Sequence, residues 1–198
     1  MTNQVYPRRL ILLGLASILA SKPALAISKR NAVALVEDLV ADITSMIRSE
    51  KTDTELTVLF ESIVSKYADM NVIARSTLGP RARTASKPQL QKFRKAFQGY
   101  FARKYSKQFK GFSGNQIILT NSRDRGKFFE VSASIDVEGS ANVDVTFRVS
   151  DRSGEPRFFD IILEGISLLS SERVEIGALL DKRQGDINRL IIDIEELG

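Results

Sequence analysis

The chain of 198 residues contains no cysteine, no histidine and no tryptophan. Without histidine and cysteine it cannot form a Ser-His-Asp or Cys-His nucleophile, carry out thiol redox chemistry, or build a zinc site from the usual nitrogen and sulfur ligands. The side chains left for chemistry are carboxylates, lysine, tyrosine and serine. Because no disulfide can form, hydrophobic packing must hold the fold together.

The N-terminal segment decides the predicted compartment. Arg8 and Arg9 precede an apolar run from Leu10 to Ala20, and Ala24-Leu25-Ala26 forms a small-x-small cleavage site. This pattern is typical of a secretory signal peptide that is cut after Ala26. The apolar run is shorter than the roughly 20 residues that a membrane-spanning helix needs. We therefore predict a signal peptide over residues 1–26.

The remaining residues, 27–198, are enough for one domain with a real core. Loss of Arg8, Arg9 and Lys22 with the leader lowers the formal charge from +5 to +2. The basic character of the full sequence therefore comes partly from the leader and does not indicate nucleic-acid binding.

The first half of this domain has the apolar spacing of helices. Ser28 is a predicted N-cap, Thr52 to Glu55 opens a second helix, and a short third helix stops at Gly79-Pro80. Ser86-Lys87-Pro88-Gln89 reads as a capping box. It opens a long helix that carries an aromatic-rich face, with apolar residues at Leu90, Phe93, Phe97, Phe101, Tyr105 and Phe109.

The second half begins with alternating strands and ends with helices. After a strand near 116–121, residues 128–164 are apolar at odd positions and polar at even positions, which predicts consecutive antiparallel strands with one dry face. Two short helices, near 170–183 and 186–197, close the chain. The predicted fold is α+β: a curved, antiparallel, four-stranded meander cupped by N-terminal and C-terminal helices, with an apolar cavity between them.

The alternating apolar positions of neighbouring strands are odd-numbered, and pairing odd residues with odd residues suggests a register for the sheet. A three-residue loop over 139–141 would place Ile135 opposite Val145, and a turn over 151–155 would place Phe147 opposite Phe159. The same register places Asp160 diagonally from Arg148, where the two can pair.

In this register Asp136 and Asp144 face each other on the wet side of the sheet. Like charges across a strand pair are unfavourable. The pair could therefore hold a calcium ion or form a glycosidase-like carboxylate pair, or it could be two solvated carboxylates.

The chain resembles the MlaC, or toluene-tolerance, family of periplasmic phospholipid-binding proteins. The phrases that carry the resemblance are Tyr67-Ala68-Asp69-Met70, Ala74-Arg75 with Leu78-Gly79, the segment Gln91 to Phe97 with Tyr100 and Tyr105, and Asp160 to Ser167 followed by Arg173. One departure is Arg81-Ala82, where the family usually has an aromatic pair ending in tryptophan.

The resemblance implies a non-enzymatic carrier without cofactor or metal. Such a carrier takes up a phospholipid between helices and sheet, and it exchanges lipid with an outer-membrane lipoprotein complex and an inner-membrane ABC transporter that bears a ring of MCE domains. This traffic maintains outer-membrane lipid asymmetry. We expect a periplasmic monomer.

The expected lipid-binding residues come from the dry face of the sheet and from the covering helices. They are Met70, Ile73, Leu78, Phe97, Tyr100, Phe101, Tyr105, Val131, Ile135, Val137, Val145, Phe147, Ile161 and Leu163. Arg75, Arg81 and Arg83 could hold a lipid phosphate or face an acidic partner; exposed cations without either role are the alternative.

Three other functions stay open. The cargo could be a hopanoid or another polycyclic lipid. The chain could be a small secreted hydrolase that uses carboxylates such as Asp136, Asp144 or Glu164. It could also be a structural adapter whose core is fully packed, without a large internal void.

Overall fold

The computed structural model describes residues 27–110, 116–136 and 141–197. Its helices are α1 (Lys29–Ile47), α2 (Asp53–Tyr67), α3 (Met70–Thr77), α4 (Lys87–Lys110), α5 (Leu168–Lys182) and α6 (Ile187–Glu196), and a 3₁₀ helix spans Gly79–Arg83. Its strands are β1 (Gln116–Asp124), β2 (Phe129–Asp136), β3 (Val143–Ser150), β4 (Arg157–Leu163) and β5 (Ile166–Ser167). The α+β class and the meander are thus confirmed, with a short fifth strand added.

The helices begin at side chains that the sequence marks as caps. Ser28 accepts a hydrogen bond from the Asn31 amide, and Thr52 forms a capping box with Glu55. Before α4, the backbone amide of Ser86 donates to the side-chain oxygen of Gln89. The backbone amide of Gln89 donates in turn to the Ser86 hydroxyl. These local bonds satisfy amides that the first helical turns leave without partners.

The strands form one sheet in the order β1-β2-β3-β4-β5, with every neighbouring pair antiparallel. Along β2, Phe129, Val131, Ala133 and Ile135 are buried, while the residues between them are more exposed. The predicted alternation therefore produces one dry face, as expected for a sheet covered on a single side.

The register between β2 and β3 differs from the predicted one by two residues. Ala133, not Ile135, lies opposite Val145, and Ile135 lies opposite Val143. Parity could not separate the two registers, because both keep odd residues opposite odd residues. Of the predicted loop, residues 139 and 140 lie outside the described residues.

The register between β3 and β4 also differs, by two residues at Phe147, and this pair of strands contains a β-bulge. Phe147 lies opposite Ile161 and Val149 opposite Phe158, so Phe159 is the extra residue. The bulge reverses the parity at the start of β4: Phe158 is buried on the dry face, where the alternating pattern predicted Phe159, whereas Ile161 beyond the bulge keeps its predicted side. Arg148 is directly opposite Asp160 rather than diagonal to it.

The helices cover the dry face in two parts. Helix α1 packs across β1, β2 and β3, whereas α3 and α5 pack on β4. Helix α2 packs against α1, and α4 packs against α2, α3 and α6. The backbone amide of Asp69, between α2 and α3, donates to the carbonyl of Phe158 and so ties the helical layer to the bulged strand.

The predicted signal peptide, the predicted helix end at 111–114 and Val137 lie outside the described residues. Among the residues that the structure describes, no helix has the length and apolar character needed to cross a bilayer.

Candidate functional site

An apolar cavity lies between the dry face of the sheet and the helices, where the sequence predicts one. We call it the central cavity. The volume that the centre of a water-sized sphere can reach inside it is about 40 Å³, which is room for about three water molecules. Its walls are Leu39, Val40, Ile43, Phe60, Ile63, Val64, Phe101, Ile117, Ile135, Val145, Phe147, Phe158 and Ile161. All of these side chains are apolar, so the cavity offers a guest only hydrocarbon contacts.

Two helices whose contribution the sequence did not reveal supply nearly half of these walls. Leu39, Val40 and Ile43 come from α1, and Phe60, Ile63 and Val64 come from α2. Their three- and four-residue spacing was visible in the sequence, but it is the spacing of any core-facing helix. The long helix α4 carries four of the expected lipid-binding residues, Phe97, Tyr100, Phe101 and Tyr105, but among the described residues it contributes Phe101 alone to this cavity.

Two smaller cavities share walls with the central one. The edge cavity, of about 30 Å³, is lined by Tyr105, Gln108, Ile135, Val145, Ile161, Leu163 and Leu168. The side chamber, of about 20 Å³, is lined by Ile73, Phe101, Phe158, Phe159, Asp160, Ile161, Leu168, Leu169 and Glu172. Ile161 borders all three, so the cavities surround one residue of β4.

The structure brings eight of the predicted lipid-binding residues to these cavities. They are Ile73, Phe101, Tyr105, Ile135, Val145, Phe147, Ile161 and Leu163. Five others are buried in the core but are not among the walls of the three cavities: Met70, Leu78, Phe97, Tyr100 and Val131. Val137 lies outside the described residues.

A polar cluster connects α4 to α5 beside the cavities. The Lys104 ammonium donates to Glu172 Oε1 at 2.7 Å and contacts Glu175 Oε2 at 2.5 Å. The hydroxyl of Tyr105 donates to the same Glu172 oxygen at 2.6 Å, and that of Tyr100 donates to Glu175 at 2.7 Å. Glu172 is 1 % exposed, and its second oxygen, Oε2, has no hydrogen-bond partner within the described ranges of the chain.

Burial and hydrogen bonding shift the pKa values of Tyr100, Lys104 and Tyr105 in this cluster. Burial and the hydrogen bond to Glu175 raise the pKa of Tyr100, and burial and the bond to Glu172 raise the pKa of Tyr105. Burial opposes the charge of Lys104, but the bonds to Glu172 and Glu175 outweigh it and raise its pKa. The tyrosines therefore stay neutral hydrogen-bond donors and the lysine stays a cation.

The three predicted arginines are exposed and lie away from the cavities. Arg75 borders a groove between α3 and α4, together with Arg94. The Arg81 guanidinium lies against Gly185, in the turn between α5 and α6. Arg83 ends the 3₁₀ helix. None of them is among the walls of the central cavity, the edge cavity or the side chamber.

The predicted facing pair of carboxylates is wrong. Asp144 lies opposite Ser134 of β2, because of the two-residue difference in register between β2 and β3. On its other side Asp136 lies opposite Gln116 of β1. Within the ranges that the structure describes, no group of three or more acidic residues is close enough to hold a metal ion.

Comparison with known proteins places this geometry in a family. The family model for the MlaC protein matches residues 35–196, which include all six helices and the whole sheet apart from the start of α1. A solved structure, the phospholipid-binding protein from Ralstonia solanacearum in complex with a phospholipid, has a similar fold with a TM-score of 0.73. The two chains are 18% identical, over 84% of this chain and 96% of the other. No curated protein matches.

Proposed function

This chain belongs to the MlaC family, and on that premise we propose that it is a carrier that holds a phospholipid by its acyl chains. The observation that carries the proposal is the central cavity, whose walls are apolar throughout and lie between sheet and helices. The similar fold from Ralstonia solanacearum is a phospholipid-binding protein with its ligand bound. A binding role is also consistent with a chain that has no histidine or cysteine.

Loading requires the helices to move. The space of about 40 Å³ is far smaller than an acyl chain, so the α1 and α2 layer must separate from the sheet to admit one. Around the cavity this layer faces the strands with aliphatic and aromatic side chains, which can slide without breaking directional bonds. At the end of α2, Arg157 of β4 donates to the carbonyls of Ser65 and Lys66, and these bonds hold that end of the helix to the sheet. We therefore propose that the cavity widens around its cargo and narrows when the cargo leaves.

The free energy of burial dictates how cargo is released. Each buried methylene contributes about 0.8 kcal/mol, so two chains with roughly 30 methylenes oppose escape into water by about 20 kcal/mol. Spontaneous release would then be too slow for a carrier. Lipid must pass to a docked acceptor along a continuous apolar path.

The finer parts of the function follow from this requirement. We propose that the protein is exported to the periplasm and exchanges lipid with an outer-membrane lipoprotein complex and an inner-membrane ABC transporter with an MCE-domain subunit, maintaining lipid asymmetry. Arg75, Arg81 and Arg83 are exposed and are not among the walls of the three cavities, and we propose that they dock to an acidic partner.

Lipid extraction and native mass spectrometry of the purified protein test the proposal. We expect one phospholipid per protein. The variant Val145→Gln, which places a polar amide in the cavity wall, is expected to fold but to lose the lipid. Ile118→Gln is the matched control, because Ile118 is 53% exposed on β1 and leaves the cavity unchanged. A folded wild-type protein that takes no lipid from any membrane source would contradict the proposal.

A further inference from the structure

Glu172, one of the walls of the side chamber, has a buried carboxylate oxygen without a partner among the described residues. Glu172 is 1% exposed, and both hydrogen bonds that the protein donates to it, from Lys104 and Tyr105, go to Oε1. No residue that the structure describes donates to its Oε2. A buried carboxylate oxygen without a donor costs free energy, so a donor from outside the chain would be bound favourably.

The side chamber is the space where such a donor fits. Glu172 is one of its walls, and the other walls are mainly apolar side chains from α3, α4, β4 and α5. The second carboxylate there, Asp160, already accepts bonds from Arg148, Ser167 and the Leu169 amide. Glu172 is therefore the acceptor in this chamber that still has capacity.

The side chamber shares three of its walls with the central cavity. Phe101, Phe158 and Ile161 line both, so a group attached to a hydrocarbon guest in the central cavity needs only these side chains to shift to reach Glu172. The chamber volume of about 20 Å³ suits one small polar group. A headgroup with its phosphate is too large and carries the same sign of charge as Glu172.

From this arrangement we propose that Glu172 Oε2 accepts a hydrogen bond from a hydroxyl on the hydrocarbon part of the cargo, so that the protein selects hydroxylated lipids. The inference rests on the proposed function and specifies its cargo. The hydroxyl can belong to an acyl chain or to a polycyclic alcohol; the chemistry that Glu172 recognises is the same.

Competition between matched lipids tests the selection. Delipidated full-length protein is incubated with vesicles that contain equal amounts of distearoyl phosphatidylglycerol and the same lipid with one hydroxystearoyl chain, and bound lipid is counted by native mass spectrometry. We expect about a tenfold preference for the hydroxylated lipid, the size of a hydrogen bond to a charged group. A second incubation replaces the hydroxylated phospholipid with a polycyclic alcohol, which identifies the source of the hydroxyl.

Three variants test whether Glu172 and the side chamber cause the preference for hydroxylated lipid. Glu172→Gln, which removes the charge, and Leu169→Phe, which fills the chamber without touching the polar cluster, are expected to lower the preference while distearoyl lipid still binds. If one of them fails to fold, the other carries the test. Glu175→Gln is the matched control: it shares Lys104 with Glu172 but is not a wall of the chamber, and it should keep the preference.

The outcomes separate the two proposals. Equal loading of hydroxylated and plain lipids by the wild type, including the polycyclic alcohol, overturns the selection and leaves the carrier function intact. A preference that survives in both chamber variants also overturns it, because the hydroxyl is then bound elsewhere. Failure to load any lipid overturns the carrier function itself, and the selection with it.

Discussion

Asp160 is a buried carboxylate on which several donors converge. Asp160 is 4% exposed and accepts bonds from Arg148 at 3.1 Å, from the Ser167 hydroxyl and from the Leu169 amide. The sequence predicted its pairing with Arg148, although the bulge makes the two residues direct neighbours. Its role is to join β3, β4 and the start of α5, immediately beside the cavity wall at Ile161.

Neutralising this carboxylate should destabilise the fold. We expect Asp160→Asn to lower the free energy of unfolding by about 2 kcal/mol, since the partly exposed Arg148 loses its buried counter-charge. Urea unfolding followed by circular dichroism measures the change. The control is Asp144→Asn at an exposed strand position, which we expect to change stability by less than about 0.5 kcal/mol. Equal effects at both positions would contradict this role.

The buried tyrosines predict a limit to alkaline stability. Burial comes first among the causes that raise the pKa values of Tyr67, Tyr100 and Tyr105 above the ordinary value of 10.0. Because these pKa values are raised in the folded state, the tyrosines do not lower the free energy of unfolding below about pH 10. Above that pH the free energy of unfolding falls, because the tyrosines of the unfolded chain ionise first.

For the chain cut after Ala26, which lacks Tyr6, we therefore expect tyrosinate absorbance to appear together with unfolding, not before it, in a spectrophotometric titration from pH 9 to pH 12. Tyr105→Phe, which removes one ionisable hydroxyl, should be less sensitive to alkali than the wild type although it loses the bond to Glu172. Tyrosinate absorbance in a chain whose circular dichroism is still native would contradict this expectation.

At the scale of elements, the sequence was informative where a local signal exists. Capping side chains such as Ser28, Thr52 and Ser86 predicted where helices begin, since each bond joins residues three apart. The β4 bulge has no such signal: Phe158 and Phe159 are both phenylalanine, and only tertiary packing decides which one turns inward. The α1 and α2 walls of the cavity were missed for the same reason, because a stripe that lines a cavity and a stripe that fills a core have the same spacing.

Two glycines of the C-terminal helices should respond oppositely to alanine. Gly185 separates α5 from α6 at φ +81°, and a Cβ there would be 2.8 Å from the Arg81 guanidinium. We expect Gly185→Ala to cost about 1–2 kcal/mol, mainly from the left-handed backbone, since Arg81 can swing aside. Gly177, inside α5, has open space around it, and Gly177→Ala should add about 0.5–1 kcal/mol. Thermal unfolding measures both, and a loss of stability in Gly177→Ala would contradict the assignment.

At the scale of the molecule, the fold places its one-sided sheet under two separate helical covers. Helix α1, supported by α2, lies over β1 to β3, whereas α3 and α5 lie over β4. The cavities follow the border between these covers, around Ile161. We expect a guest at this border to displace α1 and α2, while the Glu172 cluster keeps α4 tied to α5.

Bound cargo should therefore stabilise the whole domain and slow hydrogen exchange in one part of it. A ligand present at about 100 times its Kd adds roughly 2.7 kcal/mol, which corresponds to a rise of roughly 5–10 °C in Tm for a domain of this size. We expect this rise on loading, with slower hydrogen exchange concentrated in α1 and α2. The Val145→Gln variant should show neither change, and slowing confined to α5 and α6 would contradict the proposed opening.

The wholly hydrocarbon lining of the central cavity also has a kinetic consequence. Water inside it would find no side chain to bond with, so the emptied cavity has little reason to fill with solvent. A tail that slides in from a docked membrane complex need not expel ordered water first. The rate of lipid transfer is then set by how fast α1 and α2 separate from the sheet. Mutations can change that rate without changing the affinity for any headgroup.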